Sequence, residues 1–150
     1  MVMVELALAL TAALGPTPGS VVILPVEAKQ GVNSGVADIL TTSVATSVGR
    51  RKRFSRVVSA KDVENLLGME KQKQLMDCSS TSCWTEIGAA LGGDYVLSGQ
   101  AARLGSAFTL NLSLVNSRTA TMEASANRLV RSQDEADLVD MVDQTVGELL

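Results

Sequence analysis

The sequence predicts an α/β fold: a mixed β-sheet of about five strands with helices packed on it, in the order β-α-β-α-α-β-β-β-α. Three observations lead there. Short, apolar, β-branched runs alternate with amphipathic helical stretches over the first two thirds of the chain, the pattern of strand–helix units. Two runs joined by a short polar turn follow, the first alternating between apolar and polar residues, which describes an antiparallel hairpin. A capped amphipathic helix then closes the chain.

The elements can be justified in order. Leu6 to Leu14 reads LALALTAAL, an apolar run of secretory-leader length that is too short to span a bilayer. The preceding MVMVE carries Glu5 and no basic residue, a departure from the usual leader. Gly15-Pro16-Thr17-Pro18-Gly19-Ser20 is a breaker cluster. Residues 1–19 therefore read as a signal peptide and linker, and residues 20–150 as one domain. Val21 to Val26 is the first strand, with Pro25 marking its end, a bulge or an edge. Asn33 or Ser34 caps a helix to about Gly49, with Val36, Ile39, Leu40, Val44 and Val48 on its core face and the intervening threonines and serines toward water.

Phe54 to Val58 is the second strand. Ser59 and Asp62 then have capping-box spacing, and the helix they start carries Val63, Leu66, Leu67 and Leu75. A short helix from Cys83 to Leu91 is stopped by Gly92-Gly93, and Asp94 to Gly99 returns as a strand. Phe108, Leu110, Leu112 and Leu114 share one face of the next strand, with Thr109, Asn111 and Ser113 on the other. Asn116 to Thr119 turns the chain into a last strand from about Thr121 to Val130, completing a meander. Ser132 and Glu135 are spaced as a capping box. The helix beyond them places Leu138, Val139, Val142, Val146 and Leu149 on one face, and Asp134, Asp137, Asp140 and Asp143 largely on a solvated one.

Composition narrows the function classes. The 150 residues are 46% hydrophobic and 19% charged, an ordinary globular balance rather than a disordered one. A net charge of −3 gives no overall drive toward nucleic acid or anionic membrane, and 3% aromatics leave few platforms for stacking bases or sugars. The absence of histidine removes the commonest general base near neutral pH and the commonest metal ligand. No Gly-rich phosphate loop is present, since GGDYVLSG does not follow G-x-G-x-x-G spacing. No catalytic residue, metal or cofactor is therefore assigned.

Several stretches together resemble a known family. FSRVVSAKDVENLL is a strand entering a capped helix, EIGAALGGDYVLSGQAARLG is a helix, a Gly-Gly stop and a strand, and FTLNLSLVNSRTATM is a hairpin. From about Val21 to Leu150 this is similar to the domain shared by the TolB amino-terminal region and the periplasmic part of CsgG, with LpoB as a related case. The resemblance is densest from Ile87 to Gly99, where Gly92, Gly93 and Gly99 take a backbone role rather than a catalytic one. It implies an envelope-associated, non-enzymatic domain that binds envelope proteins or itself, with peripheral contact to outer-membrane components. No cysteine follows the leader, and no pair of long alternating segments lies beyond the meander, so lipid anchoring and channel formation are not carried over.

Candidate sites remain open to more than one reading. Cys78 and Cys83, the only cysteines, form a disulfide if the chain is exported, or stay as buried thiols. Arg50-Arg51-Lys52-Arg53 and Arg56 are either a solvated helix end, where cations favour the dipole, or a patch for an anionic ligand, membrane surface or acidic partner. Trp84 either packs over the cysteines or anchors a partner. The leading expectation is a periplasmic protein-binding domain, an accessory component of an envelope transport or assembly system. It would bind through a sheet edge and the loop from Asp77 to Trp84, with no nucleic-acid partner. The alternatives are an anionic-surface module built on residues 50–56 and, behind that, an enzyme.

Overall fold

The computed structural model describes residues 19–59, Asp62, Asn65 and residues 81–150, with the side chains of Thr81, Ser82 and Trp84 outside the description. The elements are β1 (Ser20–Ile23), β2 (Glu27–Ala28), α1 (Ser34–Arg51), β3 (Arg56–Val58), α2 (Thr81–Ala90), β4 (Tyr95–Leu104), β5 (Ala107–Asn116), β6 (Thr121–Arg131), α3 (Glu135–Asp140) and α4 (Val142–Leu149). They build the expected α/β class: one six-stranded mixed sheet in the order β3-β1-β4-β5-β6, with β2 beside β4. β1 runs parallel to both β3 and β4, whereas β4, β5 and β6 form the antiparallel meander.

The sixth strand comes from an interruption. Pro25 lacks an N–H and ends β1 at Ile23, and the chain rejoins β4 two residues later as β2. Between them the Val26 N–H donates to Thr41 Oγ1 (2.9 Å), whose own hydroxyl donates to the Ala37 carbonyl (2.8 Å). Thr41 is thus buried, as is Ser47, and neither faces water as the helical pattern suggested. Ile39, assigned to the core face, is instead 55% exposed. The buried stripe is Val36, Leu40, Val44 and Val48 with Thr41 and Ser47 beside it, whose hydroxyls find partners in the Val26 N–H and the Asp143 carboxylate.

Two layers of side chains hold the sheet. On the inner face, α1, α3 and α4 cover Val21, Ile23, Leu97, Phe108, Leu110, Leu112 and Leu114. On the outer face, Ile87 and Leu91 pack against Val22, Leu24, Val58 and Val96. The alternation of β5 is therefore realised as expected. Arg103 lies 4.9 Å from the centre of the Phe108 ring and closes one end of the inner layer.

Helix ends follow local chemistry, with one correction. Asn33 caps α1 by accepting from the Val36 N–H (2.9 Å), and Ser59 and Asp62 exchange hydrogen bonds as a capping box. At the last helix the expected Ser132–Glu135 box does not form. Asp134 is the cap, accepting from the Ala136 N–H (3.0 Å), while the Ser132 hydroxyl donates to Asp137. A carboxylate two residues closer to the helix dipole displaces the more distant hydroxyl. The closing helix is also divided at Met141 into α3 and α4. Asp143 is not simply solvated: it accepts from Ser47 Oγ (2.6 Å) and pairs with Arg50 and Arg51, clamping α4 to α1.

Candidate functional site

Among the described residues the strand order leaves two open edges, β3 with three residues and β6 with eleven. Backbone directions on β6 follow from hydrogen bonds at the far side of the meander. Leu24 and Lys29 N–H groups donate to the carbonyls of Leu97 (3.0 Å) and Ala101 (2.8 Å), so the odd-numbered residues of β4 turn their polar groups toward β1 and β2. Its even-numbered residues must face β5, because the backbone groups of a strand alternate in direction. The register Ser98↔Ser113, Gln100↔Asn111 carries the alternation onto β5, and Leu110↔Arg128, Leu112↔Ala126 carries it onto β6. Ala124, Ala126, Arg128 and Val130 therefore face β5. Ser125, Asn127, Leu129 and Arg131 present their N–H and C=O groups to the open edge.

Ser125, Asn127, Leu129 and Arg131 all have exposed side chains, and Leu129 at 54% and Met122 at 51% are exposed large hydrophobics. Asn127 donates to Asn111 across the outer face, Glu123 accepts from Asn116 (3.2 Å), and Arg128 holds Gln144 (3.0 Å) and Glu148 of α4 from the inner face. None of these bonds crosses the edge. A register shift between Leu114 and Val115 makes Glu123 the extra residue of a bulge, which ends the regular part of the edge.

The basic segment divides in two. Arg50 and Arg51 lie in the last turn of α1 and reach Asp143 at 3.3 and 3.5 Å. The hydrogen bond from Ser47, then the charges of Arg51 and Arg50, hold the Asp143 carboxyl below its ordinary pKa against the opposing effect of burial. Lys52 takes a left-handed conformation (φ 51°) at the helix C-cap, and Lys52, Arg53 and Arg56 are exposed and make no ion pair among the described residues. Arg56 lines a groove of about 280 Å³ with Val57, Val58, Asp62 and Asn65, beside the β3 edge. Structure thus assigns two of the five cations to a helix clamp and leaves three facing solvent.

The expected backbone glycines lie at close approaches. Gly92 takes φ 71° in the turn after α2. A Cβ on Gly93 would lie 2.6 Å from Val22 Cγ2, and one on Gly99 2.7 Å from Leu112 Cδ2. Gly99 sits inside β4 rather than at its end, since β4 runs on to Leu104. The Gly92–Asp94 turn is further tied by Ser20 Oγ to the Gly92 carbonyl (2.8 Å), Ser117 Oγ to the Gly93 carbonyl (2.5 Å), and an Asp94–Arg118 ion pair (2.5 Å). This cluster fastens β1, β4 and the β5–β6 turn together and is structural.

Cys83 is half-buried in α2 and is not a free thiol, and Cys78 lies outside the described residues, as does most of the loop from Asp77 to Trp84. The helix starting at Ser59, with Val63, Leu66, Leu67 and Leu75, lies largely outside them too. Among the described residues, no group of three His, Cys, Asp or Glu side chains could hold a metal ion, and no helix is long and apolar enough to cross a membrane. The edge residues Ser125, Asn127, Leu129 and Arg131 were not identifiable from the sequence. Only the strand order, a non-local property, makes β6 terminal.

No family model matches the chain, and no curated protein matches it. Solved structures do. The LpoB C-terminal domain from Escherichia coli is similar over 77% of this chain and 85% of its own, at 24% identity and a TM-score of 0.55. Lipoprotein GNA1162 from Neisseria meningitidis is similar over 89% of this chain and 99% of its own, at 18% identity and a TM-score of 0.61. TolB from Acinetobacter baumannii shares 17% identity over 89% of this chain and 28% of its own, with a TM-score of 0.50. At the level of fold the chain is similar to the LpoB C-terminal domain and GNA1162, whereas membership of a TolB-like or CsgG-like family is not shown.

Proposed function

We propose that the chain is a non-enzymatic protein-binding domain of the bacterial envelope, exported to the periplasm and serving as an accessory component of a transport or assembly system. The observation that carries this reading is the β6 edge, where Ser125, Asn127, Leu129 and Arg131 turn their backbone groups outward with no strand partner among the described residues. An extended segment of a partner adds to such an edge by main-chain hydrogen bonds. GNA1162, of the same fold, is a lipoprotein, which supports an envelope setting. The leader-like run before residue 20 supports export, and export in turn favours a Cys78–Cys83 disulfide fixing the segment that leads to Trp84.

The test is recovery of the chain from the native host. Its intact mass in the periplasmic fraction, with and without reduction, reads leader removal and the disulfide. Co-purification of envelope protein that is lost in Asn127→Pro reads the edge. A full-length chain confined to the cytosol with reactive thiols would overturn the envelope reading, and co-purification unaffected by Asn127→Pro would overturn the edge.

A second reading has its own observation. The exposed Lys52, Arg53 and Arg56, with no ion pair among the described residues, lie beside the β3 groove and suit an anionic ligand or a membrane surface. Vesicles containing anionic lipid should then bind the wild type and release it as salt rises, and a Lys52→Ala, Arg53→Ala, Arg56→Ala variant should not bind. Equal binding by the variant would refute this reading.

A further inference from the structure

We propose that the end of the sheet at which the chain enters the domain rests on an anionic phospholipid surface, through Lys52, Arg53 and Arg56. This rests on the second reading of the basic segment and names both its ligand and the orientation of the domain.

Two observations meet at this end. The first is where the chain arrives. The Gly19 carbonyl accepts from the Ser55 N–H (3.3 Å), and Ser20 lies beside Arg56 in the parallel register of β1 and β3. The amino-terminal segment therefore joins the domain beside the basic run. Leu14, the last residue of the apolar run, lies five positions before Gly19. That is a reach of at most about 18 Å. The second observation is charge. Lys52, Arg53 and Arg56 are exposed and make no ion pair among the described residues. The neighbouring carboxylates are engaged: Asp143 is shared by Arg50 and Arg51, Asp94 pairs with Arg118, and Asp62 accepts from Ser59. The opposite end of the sheet has the other sign. Arg103, before the β4–β5 turn, holds Gln133 (2.8 Å), which places the start of α3 there. Asp134, Glu135 and Asp137 outnumber Arg103 and Arg131 at that end.

An anionic bilayer suits both observations, whereas an acidic protein suits only the second. Export carries the apolar run to a bilayer, and the short connection to Gly19 then sets the entry end against the lipid headgroups. The three exposed cations are placed to hold it there, each contributing a modest attraction that falls off within a Debye length. Seated this way, the domain turns Asp134, Glu135 and Asp137 away from the negative surface. The register Val21↔Tyr95, Tyr95↔Asn116, Asn116↔Thr121 starts β6 at the same end. Its edge therefore runs away from the membrane and stays open to a protein partner.

Flotation of the full chain with vesicles of phosphatidylcholine, alone or mixed with phosphatidylglycerol, tests the proposal. Apolar residues contribute alike to both, so the ratio of the two partition constants reads the cations. Phosphatidylglycerol should raise partition by about fivefold per cation, on the order of a hundredfold for three, and added salt should remove the gain. Lys52→Ala, Arg53→Ala and Arg56→Ala together should remove it as well. Orientation is read on the unaltered chain by NMR, with a gadolinium-chelating lipid in the same vesicles. Amide signals of Ser20, Arg53, Arg56 and Arg118 should broaden, and those of Gly105, Glu135 and Asp137 should not. A ratio near one, a gain kept by the triple variant, or broadening first at Glu135 and Asp137 would overturn the proposal. Inorganic phosphate separates this failure from that of the second reading. Shifts at Arg53 and Arg56 on adding phosphate, with no gain on vesicles, would leave an anionic-ligand site and overturn the membrane as its occupant. Capture of an acidic protein through these residues, with no gain on vesicles, would overturn it too.

Discussion

Proline at Ala126 and proline at Asn127 should have unequal effects, although the residues are neighbours on one strand. Ala126 faces β5 and sits opposite Leu112 in a hydrogen-bonded pair. Proline there removes a ladder donor, at about 1 kcal/mol net, and leaves the Leu112 carbonyl unsatisfied beneath a buried side chain, at about 1–3 kcal/mol more. Asn127 turns its N–H to the open edge, so proline there breaks no ladder bond and loses only the exposed side-chain contact to Asn111, at about 1 kcal/mol. The cost of restricting φ is common to both and cancels. The difference is about 2–3 kcal/mol, which for a domain of this size separates the thermal midpoints by roughly 5–10 °C. Circular dichroism melts of the two variants at low protein concentration would measure it. Equal destabilisation, or a greater loss at Asn127, would refute the assignment of backbone directions on β6 and with it the proposed edge.

Other outcomes follow from single contacts. Gly93→Ala should destabilise by about 1–3 kcal/mol, because the added Cβ lies 2.6 Å from Val22 Cγ2 inside a packed layer; urea unfolding reads it. Thr41→Val conserves shape but strands the buried Val26 N–H, and should cost about 1–3 kcal/mol in the same assay. The Asp143 carboxyl is held below its unfolded pKa by Ser47, Arg51 and Arg50. Its contribution is therefore fully present above the unfolded value of about 4 and is lost as pH falls through the folded value. Asp143→Asn should flatten the acid limb of the stability–pH curve below about pH 4 and leave its slope near neutrality unchanged.

Much of the fold was legible because it is written in local chemistry. The period-two pattern of Phe108, Leu110, Leu112 and Leu114 could only belong to a half-buried strand, and Asn33, Ser59 and Asp62 carry cap chemistry whatever surrounds them. Tertiary context decided the rest. Ile39 lies at a core-facing spacing yet is exposed, while Thr41 and Ser47 are buried where a strand backbone and Asp143 supply their partners. The Asp134 cap displaced Ser132 through a competition that spacing alone does not rank. The basic run was legible as charge, yet its division into clamp and unpaired cations depended on where α4 docks. The β6 edge was the least legible feature, since nothing between Thr121 and Arg131 announces that no described strand pairs beyond it.

Amide hydrogen exchange on β6, resolved by NMR on isotopically labelled chain, tests the proposed pairing surface most directly. In dilute buffer Ser125, Asn127 and Leu129 should exchange fast while Ala126 and Arg128 are protected by β5. In envelope extract from the native host the odd-numbered amides should become protected and the even-numbered ones stay as they were. Unchanged exchange at all three odd positions, with new protection instead around Arg53 and Arg56, would contradict the edge and move recognition to the basic corner.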